Sequence, residues 1–74
     1  MDAVEETIIT YLRQTVGGDP RPSDRLSLVG VDSVGMAELT FELEKRFGIR
    51  VEDDVLDLET ISELATYIRE RQQP

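Results

Sequence analysis

The sequence predicts an all-α fold, a small bundle of three main helices and one short helix with a long first loop. Three observations predict it. Apolar residues recur every three or four positions along three separate segments, capping residues stand where those segments begin, and no stretch alternates convincingly with period two.

In the first helix, Val4, Ile8, Leu12 and Val16 repeat at fourfold spacing, Ile9 and Tyr11 widen the stripe, and Asp2 with Glu5 makes a capping pair. Gly17-Gly18 ends it. Residues 17 to 31 then hold three glycines and both internal prolines, a loop of a length that compact domains reserve for functional or pinned segments. Leu26, Leu28 and Val31 are the expected pins. The second helix starts from Asp32 as N-cap and runs to about Phe47, where Gly48 suits the left-handed position and Ile49 folds back onto Leu43. The acidic stretch "EDDVLDLE" has room for one or two turns carrying Val55, Leu56 and Leu58. Thr60 and Glu63 form a capping box for the last helix, with Ile61, Leu64, Ala65 and Ile68 on one face and fraying expected near Pro74.

A chain of 74 residues supports one domain, over residues 1–74, burying about 60% of its unfolded surface. The absence of Cys and His removes a disulfide framework, a thiolate nucleophile, the usual zinc ligands and a Ser-His-Asp arrangement, so the chain is expected not to be an enzyme. "EDD" at 52–54 lacks both EF-hand spacing and a glycine turn, and no metal site is expected. Sixteen acidic residues against eight basic give a formal charge of −8, which is expected to repel nucleic acid and anionic lipid, and which either attracts basic protein surfaces or only keeps a small domain soluble. No apolar run approaches the roughly 20 residues of a membrane span, and no charged-then-apolar leader opens the chain, so a cytoplasmic location is expected.

The second helix carries two apolar rows. Met36, Leu39, Leu43 and Phe47 form the row expected in the core, while Val34, Ala37 and Phe41 form another, displaced by roughly 140° at 100° per residue, with Glu38 beside it. Either the short helix covers this second row, or it is a docking surface rimmed by Glu38 and Glu44 for a partner with a basic rim. At the start of the same helix, Ser33 is expected to be exposed beside free amides, where a phosphate ester is electrostatically favoured.

"GVDSV", the helix ending "ELEKRFGIRV", the acidic stretch and the capped "TISELATYI" together resemble the acyl and peptidyl carrier proteins, whose motif sets a serine in a G-x-D-S-L context. The likeness covers nearly the whole chain. It implies that a phosphopantetheinyl transferase attaches 4′-phosphopantetheine from coenzyme A covalently to Ser33, with Asp32 capping the helix near the transferase's Mg²⁺. It further implies that Val34, Ala37, Glu38 and Phe41 meet partners, among them acyl- or aminoacyl-loading and condensing enzymes. The thiol chemistry is then imported on the arm, which accounts for a chain without cysteine. Val34 replaces the family's usual leucine. Gly35 is less usual in the first turn, and either loosens the helix start or makes space for the arm. Lys45 and Arg46 stand where many fatty-acid carriers have acids, which points toward dedicated partners in polyketide or nonribosomal peptide assembly. A separate, monomeric carrier is the expected state, with an aminoacyl or peptidyl carrier as the alternative. A noncovalent helical adaptor is the rival from another class.

Overall fold

The computed structural model describes residues 2–72; the fraying expected near Pro74 lies outside them. Among the described residues are three α-helices, α1 (Ala3–Thr15), α2 (Ser33–Phe47) and α3 (Ile61–Gln72), and a 3-10 helix at Asp53–Asp57. They contain no strand, only an isolated antiparallel bridge between Arg25 and Thr60. No described helix is long and apolar enough to cross a membrane.

The local signals act where their spacing places them. Asp2 Oδ1 accepts the Glu5 N–H at 2.9 Å to start α1, and that bond is the largest reason its carboxyl lies below its ordinary pKa. Glu63 Oε1 accepts the N–H groups of Thr60 and Glu59 at 2.9 and 3.0 Å, while Thr60 Oγ1 accepts from the Glu63 N–H at 3.1 Å. These two donations to Glu63, the Thr60 one larger, hold its pKa below the usual 4.5. At the end of α2, Gly48 has φ 63°, and the N–H groups of Gly48 and Ile49 return to the Glu44 carbonyl.

α1 packs chiefly against α3, with Val4, Ile8, Ile9 and Leu12 meeting the row Ile61, Leu64, Ala65 and Ile68 in one core. Asp2 also pairs with Arg69, tying the start of α1 to α3. α2 adds Met36, Leu39 and Leu43, with Phe47 and Ile49 partly buried against them. The connections contribute one buried anchor each, Leu26 from the first loop and Val55 from the 3-10 helix.

Three expectations about apolar residues need correction. Val16 is not the last member of the α1 stripe; it is the C-cap, exposed because the helix ends at Thr15. Leu28 is no pin, being 80% exposed. The N–H groups of Leu28 and Val29 both bond to the Arg25 carbonyl, and this tight turn directs Leu26 and Val29 toward the core and Leu28 away from it. Leu56 is likewise exposed, since the acidic segment is a single 3-10 helix that buries only Val55 and half-buries Leu58 just beyond it.

Polar contacts complete the attachment of the 3-10 helix. The Tyr67 hydroxyl donates to Asp54 Oδ1 at 2.5 Å and accepts the Glu52 N–H at 3.1 Å, and the Arg71 guanidinium lies 3.5 Å from the ring centroid. Burial, reinforced by the bond to Asp54, raises the Tyr67 pKa. Arg71 also pairs with Asp54 Oδ2 at 3.5 Å. This cluster fixes the segment that carries Leu56 and Leu58 toward the start of α2.

Candidate functional site

Ser33 is the first residue of α2 and is exposed. Asp32 precedes it in extended conformation and accepts the Gly35 N–H on Oδ1 at 2.7 Å, closing the N-cap, while the Met36 N–H bonds to the Asp32 carbonyl at 2.8 Å. The first-turn amides of Ser33 and Val34 have no carbonyl within the helix to meet, so they leave a positive edge beside the serine hydroxyl. Glycine at 35 serves the cap itself. A Cβ there would lie 3.2 Å from Asp32 Oδ1 and 3.6 Å from Val31 Cγ1, crowding the carboxylate that closes the turn.

The chain reaches Ser33 along a hydrogen-bonded path. The Leu26 N–H donates to the Glu59 carbonyl at 2.8 Å, the Ile61 N–H to the Asp24 carbonyl at 3.1 Å, and the Ser62 N–H to the Pro22 carbonyl at 2.8 Å. These bonds fasten the first loop to the start of α3. The Val31 N–H then returns to the Leu26 carbonyl at 3.1 Å, delivering the chain to Asp32. An open groove of about 330 Å³ lies between the loop, the start of α2 and the 3-10 helix. Its apolar lining comes from Leu26, Val31, Met36, Leu56 and Leu58, and its polar lining from Arg25, Ser27, Asp32, Ser33 and Glu59.

The second apolar row of α2 is open to solvent. Val34 is 65% and Phe41 60% exposed, and Ala37 and Glu38 are exposed between them, so the 3-10 helix does not cover the row. The rim differs from the expected acidic one. Glu44 is drawn away because its Oε2 accepts the Val51 N–H at 2.7 Å, whereas Lys45 Nζ sits 5.3 Å from the Phe41 ring centroid. The row thus has a carboxylate at Glu38 and an ammonium at Lys45. Glu42 takes up both Lys45 and Arg46, and the bond from Arg46 is the largest reason for its lowered pKa.

The family profile described as a phosphopantetheine attachment site matches residues 3–68. The chain belongs to this family. As a phosphopantetheine-attachment domain it is a carrier, not a catalyst, and 4′-phosphopantetheine is its covalent prosthetic group. Carriers of this kind meet a phosphopantetheinyl transferase and the enzymes of a pathway. The fold of the domain is similar to that of an acyl carrier protein from Thermotoga maritima, with a TM-score of 0.76 and 16% identity, over 93% of this chain and 91% of that one. The exposed hydroxyl, the free first-turn amides and the adjoining groove fit a phosphate-linked group at the start of α2.

Of the residues read from the sequence, Ser33, Val34, Ala37, Glu38 and Phe41 lie along one helix that Asp32 caps, with Asp32 and Ser33 also lining the groove. Sequence reasoning missed Arg25, Ser27 and Glu59 in the groove and the Tyr67–Asp54 contact behind it. Only the residue types in "DRLSL" hinted at a polar wall there. Their approach to Ser33 depends on a pairing between distant segments.

Proposed function

We propose that Ser33 is the attachment residue for 4′-phosphopantetheine, and that the chain presents biosynthetic intermediates to partner enzymes in polyketide or other natural-product assembly. The observation that carries the attachment is the exposed Ser33 hydroxyl at the first position of α2, behind a closed Asp32 cap and within the family-matched segment. When attached, the group supplies a terminal thiol that holds cargo as a thioester. Without histidine or cysteine, the chain relies on a base of the transferase to take the Ser33 proton as the oxygen–phosphorus bond forms and the pyrophosphate linkage of coenzyme A breaks, releasing adenosine 3′,5′-bisphosphate. Asp32 Oδ1 is committed to the Gly35 N–H, which leaves Oδ2 to approach the transferase's Mg²⁺.

Val34, Ala37, Glu38 and Phe41 form the surface offered to partners, beginning one residue from the attachment point. Cargo carried by a docked protein then enters the partner's site at high effective concentration. The mixed rim of Glu38 and Lys45 supports partners distinct from those that read a uniformly acidic helix.

Incubation with coenzyme A, Mg²⁺ and a broad-range phosphopantetheinyl transferase tests the assignment by intact mass. Wild type and Ser27→Ala each gain one phosphopantetheine, and Ser33→Ala gains none. A modified Ser33→Ala variant would move the attachment elsewhere, and an unmodified wild type would leave the exposed row as a noncovalent adaptor surface.

A further inference from the structure

We propose that Arg25 is a positioning residue that holds the phosphodiester of the attached arm, a role that rests on Ser33 being the attachment residue. Attachment converts a neutral hydroxyl into a phosphodiester anion, in a chain with a formal charge of −8 and beside the carboxylates of Asp32 and Glu59. Among the residues lining this groove, Arg25 is the cation.

Its present engagement is weak. Arg25 meets Glu59 at 3.9 Å with both side chains more than 60% exposed, and exposed pairs of that kind contribute little. The pairs Arg13–Asp19, Lys45–Glu42, Arg46–Glu42 and Arg71–Asp54 are all closer, at 3.1 to 3.5 Å. Most of the Arg25 fork of five N–H donors is therefore available, and its planar geometry matches two phosphate oxygens at once.

The backbone of Arg25 is fixed better than its side chain. The bridge to Thr60 holds it from one side, and its carbonyl accepts the N–H groups of Leu28 and Val29 at 3.0 and 3.1 Å on the path to Ser33. A guanidinium on this anchored base exchanges the distant Glu59 carboxylate for the new anion without rearranging the loop. The base of the arm is then directed along the groove instead of pivoting freely about the serine.

Phosphorus NMR of the loaded protein tests the proposal without any partner enzyme. Intact mass first establishes one adduct on wild type, Arg25→Gln and Arg25→Lys, and none on Ser33→Ala. Arg25→Gln is expected to shift and narrow the phosphodiester resonance, Arg25→Lys to restore part of the shift, and added salt to bring wild type toward Arg25→Gln. The Nε signal of Arg25 is expected to move between unloaded and loaded wild type. If all three loaded proteins give the same phosphorus resonance and the Arg25 signal stays in place, the Arg25 role is overturned while the Ser33 assignment stands. Absence of any adduct on wild type overturns both.

Discussion

On one face of α2, Met36, Leu39 and Leu43 are buried in the core, whereas Val34, Ala37 and Phe41, on the same helix and comparably apolar, are exposed. Hydrophobicity alone does not separate the two rows. What separates them is the layout of the other elements: the core that α1 and α3 build receives one row, and the 3-10 helix is held elsewhere by Val55, Tyr67 and Arg71. An apolar row left open on a well-packed helix is a contiguous exposed patch, in contrast to scattered exposed side chains, and it carries the proposed docking role.

The sharpest way to break this comparison is to truncate both rows. Leu39, with no exposed surface, should lose about 2–5 kcal/mol of stability on replacement by alanine, measured by urea denaturation. Asp32→Ala should cost about 0.5–2 kcal/mol by releasing the Gly35 N–H, and it aims at both rows together because they share one helix start. Phe41→Ala should change stability by no more than about 0.5 kcal/mol while lowering turnover of loaded protein by partner enzymes. A loss approaching that of Leu39→Ala would erase the distinction between the rows. Glu38→Lys should leave folding nearly unchanged and slow association with a basic partner at low salt, with the difference from wild type shrinking as salt rises. Association rates insensitive to ionic strength would remove electrostatic steering from the role of this row.

The helices were legible because their signals are local. Asp2 and Glu5, Asp32 and Gly35, and Thr60 and Glu63 each lie three residues apart, and each forms the bond that starts a helix. The serine and its helix could be placed for the same reason. Side-chain direction outside the helices was less legible: Leu28 follows the geometry of one turn, and Glu44 follows the Val51 N–H, which a helical wheel does not contain. The groove was the least legible feature. It exists only after the segment around Arg25 pairs with that around Thr60 and Tyr67 secures Asp54, contacts between residues far apart in sequence.

The seam between the first loop and the start of α3 is sewn with main-chain amides and carbonyls, so its spacing owes little to which side chains it bears. Exposed residues of the adjoining trough, such as Ser27 and Leu56, can therefore be exchanged while the frame around the serine keeps its dimensions. Such a frame lets the surface beside the serine vary without redesign of the scaffold.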